Sequence, residues 1–330
     1  MNAHIESLPV LVLFPHARCN CRCVMCDIWK ETNEAELSLE ELERHMNDIR
    51  QLGVEWVVFS GGEPLMHSDL FRLASLLRQH GIRVTLLSTG ILLKRYAAKI
   101  VNYISDVVVS LDGPSTVHDS IRRVPGAFRQ LESGVRTIHE IAADFPIAAR
   151  CTIQRLNHDH AAETAETAKQ IGLRSISFLA ADVTSEAFRR FQPWEARRQA
   201  EVALTLEEVV RLEREFDLIN QTWNGTGFVL ESREKLQRIA GHFRVQLGLA
   251  APEAPRCNAP WTSAVIETDG LVRPCFFHKP VGSLKTHSLM QVLNSFEAQR
   301  FRMSLDVATN PVCRRCVCSL NWKPEHAKLQ

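Results

Sequence analysis

The stretch LPVLVLFPHARCNCRCVMC (residues 8–26) decides how this chain is read. Its first part is an apolar run. Its last part packs Cys19, Cys21, Cys23 and Cys26 into eight residues. The run LPVLVLF is far too short to span a bilayer. It also lacks the basic n-region and small-residue cleavage site of a signal peptide. It is expected to be a buried strand with the cysteine loop at its carboxyl end. Thiolates at such spacing hold metal. Four would close a tetrahedral zinc site, and three would leave an iron–sulfur cluster with an open corner. The loop alone fits zinc and iron–sulfur equally.

The rest of the chain narrows the choice. It has 330 residues, 45% hydrophobic and 23% charged, enough for a full core and ordinary for a globular protein. A formal net charge of +1 provides no global field for nucleic acid or an anionic membrane. The expected compartment is the cytoplasm. There, ten cysteines serve metal binding or catalysis rather than disulfides. Four lie in 19–26, Cys151 stands alone, and Cys257, Cys275, Cys313, Cys316 and Cys318 close the chain, a distribution that suggests two metal sites.

Beyond the loop, SLEELERHMNDIRQL (38–52) opens on a Ser38/Glu41 capping box and keeps helical spacing. VEWVVFS, IRVTLLS, DVVVSLDG, the 147–153 stretch and SISFLA read as further strands, with helices between them. Six βα units imply a parallel sheet covered on both faces. Six are fewer than the eight of a closed barrel. The expected fold is therefore α/β, a partial (β/α)6 TIM-like barrel or a doubly wound sheet over residues 8–182. Residues 183–255 read as a helical bridge, with TLEEVVRLEREFDLIN capped by Thr205 and Glu208. Residues 256–330 form a small cysteine-rich unit, in which SAVIETDGLVRPCFF reads as a hairpin turned at Asp269-Gly270.

In parallel α/β folds, sites sit at the carboxyl ends of strands. The second strand ends in Gly61-Gly62-Glu63-Pro64. Two glycines admit a ligand close to the backbone, and the adjacent carboxylate can receive an ammonium group. The fourth ends in Ser110-Leu111-Asp112-Gly113, an acid placed to meet ribose hydroxyls. Either tetrapeptide alone is only a tight turn with a capping acid. With Cys19-x3-Cys23-x2-Cys26 they form a constellation on one rim.

That constellation resembles the radical S-adenosylmethionine enzymes, in motif order over about residues 8–180. The resemblance implies that Cys19, Cys23 and Cys26 hold three irons of a 4Fe–4S cluster, whose fourth iron takes the amine and carboxylate of S-adenosylmethionine. Gly61, Gly62, Glu63 and Pro64 would bind the methionine end. Ser110 and Asp112, with Ser88, would face the ribose. Met25 replaces the aromatic residue common before the third cysteine; its thioether can pack on adenine. Ser88-Thr89-Gly90 stands where relatives often carry Asn. The resemblance also implies a flavodoxin- or ferredoxin-type electron donor. Redox chemistry favours the cluster, because iron–sulfur potentials reach down to about −700 mV and zinc has none. Cys21 is left as the spare thiol.

The closing cysteines, Cys257-x12-Gly270-x4-Cys275 and then Cys313-x2-Cys316-x-Cys318, read as a zinc ribbon or as an auxiliary cluster. The spacing resembles the SPASM or twitch extension of radical S-adenosylmethionine barrels. Five cysteines are too few for the two clusters of a full SPASM domain. One auxiliary 4Fe–4S cluster is expected on Cys257, Cys275, Cys313 and Cys316, with Cys318 competing for the fourth place. The expected substrate is a small metabolite, or alternatively a ribosomal peptide; no peptide-recognition module precedes the first strand. A zinc-stapled, non-catalytic binding protein is the rival class. Cys151 reads as a buried apolar residue or, like Cys318, a hydrogen-atom donor; Arg122 and Arg123 could meet a carboxylate, although most such pairs are solvated surface charges. His158 and His160 are expected to face solvent, and Trp261 and Trp322 to pack around the second site.

Overall fold

Apolar runs become strands wherever both of their faces are occupied, and β1 (Val10–Leu13) is buried at all four positions. The computed structural model describes residues 3–187, 190 and 192–323. After β1 come α1 (Leu39–Gln51), β2 (Trp56–Phe59), α2 (Leu70–Gln79), β3 (Arg83–Ser88), α3 (Leu93–Tyr103) and β4 (Asp106–Ser110). Then follow α4 (Ser115–Arg122), α5 (Ala127–Ile141), β5 (Ile147–Ile153), α6 (Ala161–Gln170) and β6 (Ser175–Ala180). The Ser38/Glu41 capping box forms at the start of α1, each partner satisfying a backbone N–H of the other.

Strands β1 to β6 run parallel in spatial sequence order. One face of the sheet carries the main apolar core beneath the helices, with Leu11, Val57, Leu86, Val109 and Cys151 among its fully buried members. The other face is not covered in the same way. It holds a small cluster of Val12, Phe14, Val58 and Val265, and further along it becomes polar. In β5 the residues 147, 149, 151 and 153 are buried, whereas Arg150 on the opposite face is exposed. Cover on both faces was the expectation. The inner face is open instead, with helices only outside, which is the partial barrel of the two expected arrangements.

The bridge contains α7 (Ala196–Ala200), α8 (Leu206–Trp223) and α9 (Arg233–Gln246). Thr205 and Glu208 cap α8 as expected. The segment between α8 and α9 closes the β6 edge: Ile176 N–H donates to Phe228 O at 2.8 Å and Leu230 N–H to Ile176 O at 3.0 Å.

The C-terminal unit is built onto the same sheet. After α10 (Ala259–Thr262), β7 (Ser263–Ile266) pairs parallel with β1, and β8 (Leu271–Arg273) and β9 (Gly282–Ser283) extend it antiparallel. The β7–β8 hairpin turns at Gly270, where φ is +80°. The last helices are α11 (Leu289–Leu293), α12 (Phe296–Ser304) and α13 (Pro311–Arg314). The tail then returns to Asn258, which accepts from Trp322 N–H and donates to its carbonyl, both at 2.8 Å. This brings Trp322 onto Trp56 at the amino end of the inner face, ring centroids 6.2 Å apart. No helix among the described residues is long and apolar enough to cross a membrane.

Candidate functional site

The cysteine loop leaves β1 at the carboxyl ends of the strands and is pinned there from several sides. Arg22 and Val24 donate backbone N–H groups to Arg122 O and Ile121 O at 3.1 and 3.0 Å. Asp27 accepts from Trp194 Nε1 at 2.5 Å, and Arg198 donates to Val24 O. Trp29 Nε1 donates to Cys26 O at 2.8 Å. The loop is therefore held by α4 and the bridge, not by its own hydrogen bonds alone.

The four thiols are close neighbours. Cys21 is within hydrogen-bond reach of both Cys19 and Cys23; those contacts and burial push its pKa up. Cys23 is lowered to about 6: the Cys21 thiol donates to it and Arg122 adds positive charge, which together outweigh burial. Cys26 is pushed up to about 12, chiefly by burial, although Ile28 N–H donates to its sulfur at 3.4 Å. Cys21 thus serves its neighbours as a donor while Cys23 takes the anionic role.

Glu63 is fully buried beside this loop. Its carboxylate accepts from Thr89 N–H at 2.6 Å, Thr89 Oγ1 at 2.7 Å, Ser88 Oγ at 3.0 Å and Leu65 N–H at 3.1 Å. Burial raises its pKa, and these donors counter that rise. Ser88 accordingly points at Glu63. Thr89, which sequence reasoning did not select, joins the two loops through a 3.0 Å bond to Asn20 Oδ1. His16 was also missed. It is buried and held by Glu63 O at 2.8 Å, and burial lowers its pKa to about 4. No spacing signal marks His16, because its partner is a backbone atom of another loop.

The Gly61-Gly62 pair has a steric cause. A Cβ on Gly62 would stand 1.9 Å from Arg18 O, and one on Gly61 2.8 Å from His16 O. What approaches these glycines is the backbone of the cysteine loop itself. Pro64 begins a single 3-10 turn after Glu63 and is buried.

Asp112 is also fully buried. Its carboxylate pairs with Arg122 and accepts Thr152 N–H at 2.8 Å, and burial raises its pKa against the pull of Arg122. Arg122 Nη1 in turn lies 3.5 Å from Cys23 Sγ. Of the two readings of Arg122, the solvated surface charge is not the one formed: α4 turns this side chain inward, where the buried Asp112 carboxylate and the Cys23 sulfur offset its desolvation. Arg123 is the αL residue that ends α4, with φ 55°. Ser110 is half-buried on the inner face. Met25 Sδ lies 3.5 Å from Gln154 Nε2, on the turn after β5. His158 is buried rather than solvent-facing: its Nδ1 contacts Arg155 O at 2.7 Å and Arg211 donates to its Nε2 at 3.1 Å. His160 is partly exposed and pairs with Glu163. Cys151 lies in the core behind the sheet with Asn157 Nδ2 3.6 Å away.

At the second site, burial leads the pKa rises of Cys275, Cys313 and Cys316, and charge on Cys257 raises all three further. The four thiols therefore act on one another. His278 Nε2 lies 3.4 Å from Cys313 Sγ. Cys318 adjoins Cys316, whose thiol donates to its carbonyl at 3.0 Å, and Arg150, Asp182, Lys235 and Arg238 also act on the Cys318 thiol. Trp261 is partly buried against the main core, and Trp322 packs on Trp56 while bonded to Asn258, the residue after Cys257.

Among the described residues, no group of three or more His, Cys, Asp and Glu side chains is arranged to hold a single metal ion. The fit to a cluster rests on the donor chemistry. Three thiols, one of them readily ionised, lie under an arginine, and the Asn20 amide nitrogen and Gln154 amide oxygen are buried there without partners. Unpaired buried polar atoms around a thiolate loop suit a polar ligand on the cluster.

Comparison with known proteins agrees. Residues 13–168 match the Radical SAM superfamily, and residues 257–317 match an iron–sulfur cluster-binding domain. The chain thus carries a radical SAM domain followed by an iron–sulfur cluster-binding domain. An AdoMet-dependent heme synthase of Methanosarcina barkeri is 32% identical over 164 residues, 47% of this chain and 46% of that protein. An Fe-coproporphyrin III synthase of the same organism is 35% identical over 157 residues, 46% of this chain and 39% of that one. The matched stretch thus spans under half of either curated relative. In fold, the chain is similar to Streptococcus suis SuiB. The SuiB crystal structure with S-adenosylmethionine gives TM-score 0.69 at 14% identity, covering 96% of this chain and 73% of SuiB. The structure with precursor peptide SuiA gives 0.66 at 16% identity, covering 96% and 72%.

Proposed function

We propose that this radical SAM chain is an enzyme that cleaves S-adenosylmethionine reductively and removes a hydrogen atom from a C–H of a small metabolite. The observation that carries the reading is the convergence of Cys19, Cys23 and Cys26 with Gly61–Pro64 and Ser110–Asp112 at one end of one parallel sheet. Bound there, a 4Fe–4S cluster supplies an electron at the low potential that splits the sulfonium C–S bond and yields a 5′-deoxyadenosyl radical. The chain's own residues do the remaining work. Cys19, Cys23 and Cys26 supply thiolates, and the Cys21 thiol stays protonated as a donor. Arg122 places positive charge beside Cys23, and Asp112 holds Arg122 in place. Glu63, oriented by Ser88 and Thr89, receives the methionine ammonium near Gly61, Gly62 and Pro64. Ser110 meets the ribose and Met25 packs on the adenine.

Cys257, Cys275, Cys313 and Cys316 hold one auxiliary cluster. Their mutual charge effects support this set, and Cys318, which also acts on Cys316, is the alternative fourth ligand. The relatives named as heme and Fe-coproporphyrin III synthases share the barrel half, which supports a small-molecule substrate; a relative named PqqA peptide cyclase shares it too and supports the peptide alternative. All ten cysteines are free, in keeping with a reducing cytoplasm and a flavodoxin- or ferredoxin-type donor.

Anaerobic purification with iron and sulfide analysis tests the reading. About eight irons per chain, and 5′-deoxyadenosine formed on reduction with S-adenosylmethionine, would support it. Two zincs and no turnover would sink it. Cys19→Ala should abolish cleavage and Cys21→Ala should not.

A further inference from the structure

We infer that Arg150 anchors an oxyanion of the substrate, a carboxylate or a phosphate, on the inner face of the barrel. The inference rests on reading that face as the substrate chamber beside Ser110. Arg150 lies in β5, flanked by β4 and β6, where a charged side chain is unusual in a parallel sheet. Its register partners are Ser110 in β4 and Ser177 in β6. Register partners share a face, so Ser110, Arg150 and Ser177 form one row across the inner face. Arg150 thus stands one strand from the residue proposed to meet the ribose.

The guanidinium is exposed to the chamber and is oriented from behind. Arg150 Nε donates to the buried Ser177 Oγ at 3.2 Å, and Ser177 donates to Ala149 O at 3.3 Å. This fixes one edge of the fork, and among the described residues the two Nη groups of the exposed side chain have no hydrogen-bond partner. The surrounding cations differ. Arg83 has Asp106, Arg122 has Asp112, Arg190 has Asp182, Arg273 has Glu267 and Lys235 has Glu231. Among the described residues Arg150 pairs with no carboxylate. Arg238 on α9 also lacks one; it donates to Cys316 O at 3.2 Å. Both arginines act on the Cys318 thiol together with Asp182 and Lys235, which are paired with Arg190 and Glu231, and this sets them at one corner where the C-terminal unit meets the barrel. Two cations without acid partners, at the edge of an open polar chamber, match the requirement of a planar or tetrahedral oxyanion.

The test titrates anaerobically reconstituted full-length protein with two probes, tricarballylate and inorganic phosphate, followed by calorimetry. Wild type should bind one probe saturably, Arg150→Gln at least tenfold more weakly, and Arg150→Lys in between. A preference for tricarballylate identifies a carboxylate group, and one for phosphate a phosphate group. S-adenosylmethionine affinity in Arg150→Gln should stay within about twofold of wild type. Equal probe binding in wild type and Arg150→Gln, or no binding to wild type, overturns the inference. So does a large loss of S-adenosylmethionine affinity, which would assign Arg150 to the cofactor carboxylate. Iron content and 5′-deoxyadenosine formation are measured on the same samples. Probe binding that needs Arg150 in a protein that forms no cluster would refute the enzymatic reading while leaving the anion site in place.

Discussion

Arg122 Nη1 lies 3.5 Å from Cys23 Sγ, in a chain position 99 residues away. Through this contact α4 reaches back over the cysteine loop, and the ion pair with Asp112 keeps the guanidinium there. Removing one partner of a buried pair leaves the other charge uncompensated, at a cost of about 3–5 kcal/mol. Arg122→Met should therefore destabilise the protein by that order in urea denaturation. Adding Asp112→Asn should recover part of the loss. A double variant as unstable as the sum of the two single variants would show that the pair contributes nothing as a pair.

Gly62 and Gly241 should respond oppositely to alanine. At Gly62 a Cβ would sit 1.9 Å from Arg18 O, so the cysteine loop must move. Gly62→Ala is expected to cost about 1–3 kcal/mol and to lower the iron bound per chain. At Gly241, inside α9, a Cβ meets nothing within 4 Å. Gly241→Ala should stabilise by about 0.5–1 kcal/mol. Thermal melts of the two variants beside wild type provide the check.

His118 makes folding sensitive to acid. It is fully buried, accepts Asp112 N–H on Nδ1 at 3.2 Å, and burial, then Arg122, lower its pKa to about 3. Between that value and the ordinary 6.5 the unfolded chain binds the proton and the folded chain does not. Its contribution is complete above the ordinary value and is lost as pH falls, by at most about 1.4 kcal/mol per pH unit. The urea midpoint should drop between pH 7.5 and 5.0 more in wild type than in His118→Asn. Equal drops would remove His118 from the acid response.

The tail closes the amino end of the inner face through Trp322 and Trp56, 6.2 Å apart. Trp322→Ala should expose Trp56 to water, shift the tryptophan emission to longer wavelength and cost at least about 1 kcal/mol. Asn258→Ala, which removes both hydrogen bonds to Trp322, should show the same shift to a smaller extent. An unchanged spectrum in both variants would mean that the tail does not rest there in solution.

The strands were legible because each is a short, nearly unbroken apolar run bounded by breakers, and the helix starts at Ser38 and Thr205 because a capping box is a local chemical pattern. Helix α4 was not expected, because it follows the Asp112-Gly113-Pro114 turn so closely that the stretch reads as loop. Helix α9 was not delimited for a related reason: it follows α8 after a glycine-containing turn inside a segment read as a helical bridge without separate bounds. The parallel pairing of β7 with β1 was hidden as well, since it joins segments some 250 residues apart.

By itself the sequence determined the βα rhythm, the two groups of cysteines and the residue types at the strand ends, all of which depend on neighbours within a few positions. Only the tertiary structure decided what those residues face. It decided between the solvated and the carboxylate-bound readings of Arg122 by making it the partner of Cys23 and Asp112, and made the cysteine loop the reason for Gly62. It also set Arg150 between Ser110 and Ser177 on an open inner face. Burial and charge pairing are properties of the whole packed chain. An arginine that local sequence reads as solvated becomes a positioning or anchoring group only when the fold removes its water and determines which carboxylates lie within reach.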